Sequence, residues 1–570
     1  MTWILLGYLV WLPAIIGWGS ALPILWNGTS HDSDILHLSV TALSGLAVLG
    51  TIANSLNFFT PMTAPIALAV LTAGWILLAF NRHYLLSIVA TRPLPVLGYI
   101  LFGLVLLTYA AYFAHKGTSD YDAGLYHLQS VKWINESRLP QGLANLHGRF
   151  GFNSLWFSIE AMLQVPSETS QGPFILNGIL FSLYGFAIVA ALVEAVSKRV
   201  TLSNTFLIAT TPAWIDMTKR GYIGSLSPNF PIILLTFWLI ALSIQALESE
   251  QDWWSCEIAA LWLAFFAITI KTLGAFLLLL PAGTLAWNLY QRRKHLPRSG
   301  LKKLPFAGCV AVLLGVWMLR GVMLSGCIAY PTRAGCFPSA PWAVPVSAVE
   351  HEAIWIQSWA RQPQAPPEQV LANWNWLGPW WDQFKSTRIV QEAMSLVGIG
   401  FVLWVIGTRK HNARQGLIAG GLPILAILAG AMLWFLIAPD VRFGEGYIRS
   451  LGVLFFSNGF HRLSTLRPSA ERISVLALII AIGLMIYPRA DLYFDMMTRQ
   501  PVSFSYSSIP IVEVKENWTD EGVRVLSPVT GDQCWNTALP CTPYFDSRLH
   551  IVLDQAGRPQ SFQASRGQNP

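Results

Sequence analysis

Two carboxylates stand one residue apart in SDYDAGLYHLQSVKWINE, residues 119–136, directly after an apolar run that ends near Ala114. Asp122 is the candidate catalytic base, because a carboxylate is costly to desolvate at the mouth of a membrane cavity and usually marks function. Asp120 could cap the helix that follows or turn into a cavity. His127 could carry a proton or be an ordinary polar residue. The two acids could hold a divalent cation, but two carboxylates are too few to assign one.

Basic side chains could complete this chemistry by binding a phosphate. Charge that grows on a phosphate leaving group needs fixed cations near it. Arg binds phosphate through two parallel hydrogen bonds, whereas Lys acts as a point charge. Lys271 lies at the turn between two apolar segments, and Arg320 lies just inside a predicted span, where a buried cation needs a partner. The candidate cations on one predicted face are Arg149, Lys219, Arg220, Lys271, Arg320, Arg333, Arg442 and Arg449.

The segment APDVRFGEGY, residues 438–447, is predicted to be a short charged turn between two spans. Its Asp440, Arg442 and Glu445 could form a structural ion pair, or they could close over a lipid headgroup. Glycine permits the tight bend that such a turn needs. Arg442 and Glu445 are therefore candidate substrate-binding residues.

The helix predicted after Asp122 determines which side chains join it. Residues 124–137 contain no proline, and their apolar residues recur at helical spacing, which indicates an amphipathic helix on the membrane surface. A second surface helix is predicted in GRFGFNSLWFSIEAML, where Asn153 is a candidate sugar contact. One face of the first helix is expected to carry Asp122, Tyr126, Gln129 and Trp133.

Membrane helices have to position these groups, because 54% of the 570 residues are hydrophobic and only 12% are charged. Soluble globular chains carry roughly 25% charged residues. The composition predicts an all-α polytopic membrane protein, and the net charge of +7 reflects short basic runs between apolar segments rather than a nucleic-acid partner. About fourteen segments approach the ~20 residues that a span needs. They lie near residues 3–25, 35–57, 63–80, 95–115, 173–196, 200–215, 229–247, 256–270, 273–290, 305–325, 391–408, 415–437, 447–460 and 472–488.

The basic runs predict the orientation. If residues 292–303 face the cytoplasm, strict alternation places four further basic clusters there as well. The same alternation puts residues 116–172, 326–390, 438–447 and 489–570 together on the exterior. We therefore expect the non-membrane mass of the protein to be extracytoplasmic.

Cysteines test this orientation independently. Cys327 and Cys336 form one close pair and Cys534 and Cys541 another, and both pairs fall in segments assigned to the exterior, where disulfides persist. Close pairs can also bind metal, but no His or second pair is spaced to complete a zinc site. We therefore expect these cysteines to form two disulfides rather than a zinc site.

The tail from residue 489 onward lacks long apolar runs. IPIVEVK, GVRVLSP and LHIVLD look like short strands separated by turns, which predicts a small α/β domain. No Walker A loop, dinucleotide-binding glycine motif, HExxH or GxSxG is present. Their absence excludes nucleotide-driven pumping within this chain and the common hydrolase schemes.

Several of these segments resemble a known superfamily. YDAGLYHLQSVKWINE is similar to the signature D-x-x-x-Y-H-L-x-x-x-x-x-W that follows an early span in bacterial membrane glycosyltransferases of the GT-C superfamily. LANLHGRFGFNSLWF, YPTRAGCF, PDVRFGEGY and GDQCWNTALPCTPY resemble a largely uncharacterised bacterial branch of it.

The resemblance implies a bacterial inner-membrane enzyme whose catalytic base matches Asp122. The donor would be a polyprenyl-phosphate sugar reached from the membrane lipid, and the acceptor would be an unidentified glycan, lipid or protein. Three extra spans precede the helix that would ordinarily be first. This implies a division into residues 1–92, a GT-C-like core at 93–488, and a C-terminal domain at 489–570.

Two other classes compete with this reading. A transporter or lipid-linked saccharide flippase would carry charged residues near mid-membrane and internal repeats. An O-antigen polymerase or ligase would place its main cluster of charges in a large late loop, for which residues 326–390 are the candidate.

Overall fold

The computed structural model describes residues 1–22, 34–82, 96–118, 120–164, 174–197, 200–219, 221–293, 303–408, 414–464, 471–487 and 509–564. These residues are mostly helical, and they include ten helices that are long and apolar enough to cross a membrane. Helix satisfies every backbone polar group within the segment, which hydrocarbon requires. The ten segments are Thr2–Ser20, His37–Asn57, Leu97–His115, Leu176–Ser197, Asn229–Glu248, Trp253–Ile270, Thr272–Gln291, Pro305–Ser325, Arg388–Gly407 and Ile418–Ile437.

The other four predicted spans take different forms. Ala64–Phe80 and Glu471–Ile486 are apolar helices that are shorter than the rest. The segment 200–215 is divided into Leu202–Ala209 and Thr211–Lys219, and Pro212, which has no N–H to donate, occupies the first turn of the second helix. The segment 447–460 lies within the 24-residue helix Val441–Ser464, whose charged residues lower its hydropathy. The described chain thus supplies ten apolar spans where about fourteen are predicted.

Close helix packing depends on glycine at several crossings. A Cβ atom at Gly17 would overlap the carbonyl oxygen of Gly74, and one at Gly45 would overlap that of Ile15. A Cβ atom at Gly459 would likewise overlap the carbonyl oxygen of Gly400, where the helices Arg388–Thr408 and Val441–Ser464 cross. Small residues let helix backbones approach where no hydrophobic force between helices is available in lipid.

The segments predicted to lie together do converge on one end of the helix bundle. We call this end the loop face and define it as residues 120–164, 326–387, 438–440 and 509–564. Thr542 donates a hydrogen bond to the carbonyl of Leu146, Asn145 donates to that of Trp342, and the Trp380 indole donates to that of Pro439. The helices of this face are Leu128–Glu136, Leu155–Leu163, Val346–Arg361, Pro367–Ala372 and Leu377–Ser386.

The described tail forms two antiparallel hairpins. Strands β1 (Val514–Trp518) and β2 (Arg524–Pro528) pair with each other, as do β3 (His550–Leu553) and β4 (Pro559–Gln563). Residues 509–564 contain strands and turns but no helix, so the described part of the predicted α/β domain is all-β. Strand β4, PQSFQ, has none of the β-branched residues that identified the other strands.

Both expected disulfides are present. Cys327 is bonded to Cys336 and Cys534 to Cys541, each closing a short loop at the loop face. Cys256 and Cys309 lie in apolar helices as free thiols.

Candidate functional site

Asp122 stands at the start of a π-helix, Ala123–His127, which leads directly into the helix Leu128–Glu136. The Leu128 N–H bonds to the carbonyl of Ala123, five residues back, instead of four. A π-turn inserts one extra residue, and each residue turns an α-helix by about 100°. The side chains after the insertion therefore point away from the face that carries Asp122.

The predicted single face is consequently wrong. Asp122 and Tyr126 line one cavity together. Gln129 instead donates to the carbonyls of Trp535 and Thr537, at 2.9 Å each, in the C-terminal region. The helix predicted to lie on the membrane surface is also covered, because residues 123–129 are all buried.

The C-terminal loop that the second disulfide closes, residues 534–541, is what covers this helix. The Trp535 N–H donates to the carbonyl of Gly124 at 2.9 Å, and a Cβ atom at Gly124 would overlap the Trp535 ring. Lys132 donates to the carbonyls of Asn536 and Thr537 at 3.0 and 3.1 Å. These contacts hold the π-helix in place, so the loop positions Asp122 without reaching the cavity.

The cavity that Asp122 lines has a volume of about 1200 Å³, including its open mouth. It lies where the loops 116–172 and 326–390 meet the ends of four apolar spans and the start of the helix Val441–Ser464. Six of the predicted site residues share its wall: Asp122, Tyr126, His127, Arg149, Asn153 and Lys271. The remaining wall includes Phe152, Phe157, Asn229, Tyr330, Ile356, Ile437 and Phe443.

The two carboxylates have different surroundings. Asp120 acts locally, since its Oδ1 accepts the Asp122 N–H at 3.3 Å and its Oδ2 lies 3.9 Å from Nδ1 of His127. Burial raises the pKa of Asp120, and the nearby His127 opposes that shift. The Asp122 side chain makes no hydrogen bond within the described residues. Asp122 is thus the carboxylate that remains available to a ligand.

His127 lies in the cavity wall with only 1% of its surface exposed. Neither ring nitrogen has a hydrogen-bond partner within the described part of the chain. Burial lowers the pKa of His127 below 6.5, and the charge of Asp120 opposes this shift. A neutral imidazole can donate or accept one hydrogen bond, but it does not add a positive charge at neutral pH.

Lys271 is the residue at which the helix Trp253–Ile270 ends, and it has an extended backbone before the next helical segment begins. Its Nζ donates to Oδ1 of Asn229 and lies 3.9 Å from the centre of the Phe443 ring. Burial lowers the pKa of Lys271 to about 7, and the charge of Arg442 acts in the same direction. No carboxylate pairs with it in the described structure, so Lys271 can respond to a bound anion.

Arg149 has a carboxylate partner that the sequence did not suggest. Its Nε lies 2.9 Å from Oε1 of Glu352, on the helix Val346–Arg361, and its guanidinium lies 5.5 Å from the Phe152 ring. Ala353, Ile356 and Gln357 also line the cavity, so the helix Val346–Arg361 presents one face to it. Their helical spacing is the sequence signal that could have pointed to this helix.

The segment 438–447 is the beginning of a membrane helix rather than a turn. Asp440 accepts the Arg442 N–H at 2.8 Å, as an N-cap does, and also pairs with the Arg442 guanidinium at 2.9 Å. The helix then runs from Val441 to Ser464. Gly444 lies within this helix and not in a bend. Glycine is needed there because a Cβ atom would overlap the Trp434 ring. Arg442 lies outside the wall of the Asp122 cavity.

Glu445 and Arg449 form a buried ion network away from the cavity. The Arg449 guanidinium lies 2.8 Å from Glu445, 2.6 Å from Asp216 and 3.8 Å from Glu392. Tyr222 also donates to Glu445 at 3.1 Å. The structure thus places Glu445 in a helix-packing contact, where its oxygens are already bonded, and not in the substrate cavity.

The remaining predicted cations do not reach the cavity. Arg320 lies in a separate pocket, and Arg333 is an exposed residue that pairs with Glu350 at 2.7 Å. Arg220 and the side chain of Lys219 lie outside the described residues. Asn153 does line the cavity, and its amide donates to the carbonyl of Trp317.

The first disulfide loop supplies wall residues that sequence reasoning missed. The loop between Cys327 and Cys336 presents Tyr330, Pro331 and Thr332 to the cavity. A divalent cation has no evident site, because no group of three or more His, Cys, Asp or Glu in the described residues is arranged to hold a metal ion.

No curated protein and no solved structure matches this chain. One family, described as a domain of unknown function, DUF8201, matches residues 1–449. The matched residues contain the three N-terminal helices and the membrane part of the cavity, and they end before the C-terminal hairpins. With the greater part of its length matched, the chain belongs to the DUF8201 family.

Proposed function

We propose that this protein is a GT-C-type glycosyltransferase that moves a sugar from a polyprenyl-phosphate donor to an acceptor hydroxyl. The observation that carries the proposal is the shared cavity, whose wall contains the unbonded carboxylate of Asp122 together with Lys271, between two membrane helices, and Arg149, in the first loop. A base and separate cations around one space match the needs of sugar transfer from a phosphate.

In the proposed reaction, Asp122 takes the proton of the acceptor hydroxyl as its oxygen attacks the anomeric carbon. The bond between that carbon and the phosphate oxygen breaks, and the electron pair leaves with polyprenyl phosphate. Lys271 and Arg149 stabilise the charge that grows on this leaving group. The proton ends on Asp122, and the products are the glycosylated acceptor and polyprenyl phosphate.

The apolar side of the cavity supports a lipid-linked donor. Ile437 and Phe443 line it, and Ile437 ends the helix Arg414–Ile437, whose outer surface exposes large apolar residues. Arg361 donates to the carbonyl of Leu436 and so ties this helix end to the second loop. A prenyl chain could lie along the helix while its sugar phosphate occupies the cavity.

Both disulfides lie at the loop face, and disulfides persist in oxidising compartments. This supports an orientation in which the loop face is extracytoplasmic and the protein lies in a bacterial inner membrane. The sugar, and whether the acceptor is a glycan, a lipid or a protein, are left to experiment.

A second candidate, a lipid-linked saccharide flippase, is favoured by one observation. Charged residues that pair within membrane helices are frequent in transport pathways, and Asp216, Glu445 and Arg449 form such a group. The two candidates differ in whether a glycosidic bond is made.

The deciding experiment uses purified protein in lipid nanodiscs with a panel of polyprenyl-phosphate sugars. We expect one donor to give transfer to an acceptor or slow release of free sugar, and Asp122→Asn to lower this rate about 10²- to 10⁴-fold. Asp382→Asn is the matched control, since Asp382 is an exposed loop-face carboxylate outside the cavity. Equal turnover in wild type and Asp122→Asn would remove the base role. Movement of the donor across liposome membranes without sugar transfer would favour the flippase.

A further inference from the structure

A second pocket adjoins the Asp122 cavity and contains a buried arginine. Arg320 lies near the loop-face end of the helix Lys303–Ser325, with 5% of its surface exposed. Its pocket is much smaller than the Asp122 cavity and shares with it a wall formed by Phe152, Asn153, Ser154 and Phe157. The two spaces are neighbours, but Arg320 and Asp122 do not line the same one.

The charge of Arg320 is not matched within the described part of the chain. A guanidinium carries five N–H donors and keeps its positive charge in proteins. The one hydrogen bond that Arg320 makes to the described residues runs from Nη1 to Oδ1 of Asn57, at 2.9 Å. No carboxylate lies within ion-pair distance of it among the described residues. A cation removed from water without a counter-charge costs several kcal/mol, which makes this arrangement costly unless an anion completes it.

A second hydrogen-bond donor in this pocket also lacks an acceptor within the described residues. The indole of Trp133 lines the Arg320 pocket, and its side chain is 98% buried, since only 2% of its surface is exposed. Its Nε1–H has no hydrogen-bond partner in the described structure. An indole N–H can only donate, and so can a guanidinium. Two donor-only groups thus line one pocket, and only an acceptor can satisfy both.

The surroundings fix these donors in position. Asn57 donates through its amide nitrogen to the carbonyls of Ile134 and Ser137, which directs its own carbonyl oxygen toward Arg320. Trp133 packs at 5.7 Å against the ring of Phe562. Both donors are therefore held before any ligand arrives, and holding them in advance lowers the entropy cost of binding.

We propose that Arg320 and Trp133 form a binding site for a single phosphate-type oxyanion, separate from the cavity that contains Asp122. The charge and the donors select an anionic acceptor, and the pocket has far less room than the Asp122 cavity, so it cannot hold a complete sugar phosphate. The oxyanion could belong to an anionic lipid, because Met318 and Leu319 next to Arg320 are exposed apolar residues. It could also be free phosphate. This proposal does not depend on the transferase reaction.

The carbonyl ends of nearby helices offer the competing explanation. The helices Asp34–Asn57 and Leu128–Glu136 both end beside the pocket, and helix C-termini carry a partial negative charge. If that charge is sufficient, Arg320 needs no ligand and no anion will bind.

The test measures binding to the full-length protein in a neutral detergent. One arm titrates radiolabelled inorganic phosphate at constant ionic strength. The other counts phosphatidylglycerol molecules that stay bound in native mass spectrometry, with phosphatidylcholine as the uncharged comparison. We expect saturable binding in at least one arm, weakened about tenfold or more by Arg320→Gln. Arg333→Gln removes an arginine that is exposed and paired with Glu350, so it serves as the matched control and keeps wild-type binding.

Trp133→Phe keeps the ring packing and removes the N–H donor, and it decides the result if Arg320→Gln does not fold. We expect it to weaken binding several-fold. Binding of phosphatidylglycerol alone assigns the site to a lipid headgroup, and binding of phosphate alone assigns it to a soluble anion. The proposal is overturned if neither probe binds, or if Arg320→Gln and Trp133→Phe both bind like wild type.

Discussion

Charged residues of both signs lie close together at two places near the loop face, the Arg449 network and the Asp122 cavity. The two places differ in whether the opposite charges are in contact. In the Arg449 network, one guanidinium contacts Asp216 and Glu445 directly, with no cavity between the charges. In the Asp122 cavity, Arg149 is paired with Glu352, but Lys271 bonds to an amide and the Asp122 side chain makes no hydrogen bond within the described residues. Charges in contact neutralise one another and hold helices together, whereas charges kept apart around a space remain available to a ligand. The separation of Asp122 and Lys271 therefore distinguishes the candidate site from a packing contact.

Removal of Arg449 should give the largest loss of stability. Arg449→Met would remove the guanidinium that contacts the buried carboxylates of Asp216 and Glu445, and breaking a buried pair in this way costs about 3–5 kcal/mol. The thermal midpoint of the purified protein measures this loss. Arg320→Met is the matched variant, because Arg320 is equally buried but has no carboxylate partner. In buffer free of phosphate and anionic lipid its midpoint should stay level or rise, and an equal fall in both variants would contradict the comparison.

Removal of Lys271 should act on the reaction and not on the fold. Lys271→Met should lower the rate of sugar transfer about 10²-fold, since one fixed donor to the leaving group is lost. The thermal midpoint should change only as much as it does for substitutions of other partly exposed residues. Steady-state rates and melting curves on the same preparation separate the two effects. A large drop in midpoint with unchanged kcat per folded molecule would place Lys271 with the packing residues.

Lys271 also predicts a pH dependence. Its pKa of about 7 is set by burial and by Arg442, against the opposing charges of Asp440 and Asp122. The protonated form is the one that stabilises a phosphate, and it is lost as pH rises through the pKa. We therefore expect kcat/KM to fall above about pH 7, because kcat/KM reports the free enzyme. Lys271→Met should flatten this alkaline limb, and an unchanged limb would assign it to another group.

The contact between the C-terminal loop and the π-helix should have a moderate effect. Gln129→Ala removes two hydrogen bonds to the carbonyls of Trp535 and Thr537, at about 1 kcal/mol each. Faster hydrogen exchange of residues 123–129, together with a lower kcat and an unchanged donor KM, would show that the loop positions Asp122. Gln391→Ala, which removes bonds to exposed carbonyls elsewhere on the loop face, is the control.

Exposed ion pairs should have the smallest effect. Arg548→Gln breaks the pair with Asp546, where both side chains are about half exposed, and such pairs contribute little to stability because water and salt screen them. We expect neither the thermal midpoint nor the transfer rate to change measurably. A larger effect would mean that exposed charges at this face matter as much as the buried network.

Much of the architecture could be predicted because membrane helices follow from local composition. Ten apolar spans, the convergence of the loops and both disulfides were accessible in this way. Asp122 and Lys271 were identified because charged residues close to span ends are costly and therefore informative, and Arg149 was identified as a cation in the same outer loop as Asp122. Residue type and position along the chain carried these predictions.

The failures share one physical cause, which is contact with residues far away in the sequence. The π-turn before Leu128 depends on the C-terminal loop that packs against Gly124, so a regular helical template put Gln129 on the wrong face. Gly444 looked like a bend because the Trp434 ring that it accommodates is not visible in a local pattern. Glu352 was passed over because its partner, Arg149, belongs to another loop.

The packing contact between Gly124 and Trp535 has a consequence for biogenesis. Gln129 meets its partners in a loop that is synthesised 406 residues later. The surroundings of the first loop's acid are therefore complete only after the whole polypeptide has been inserted, its tail folded and its last thiol pair oxidised. Nascent or truncated chains would lack the contacts of the C-terminal loop with the π-helix. The site around Asp122 would therefore be incomplete in the membrane until synthesis and folding of the C-terminal region are complete.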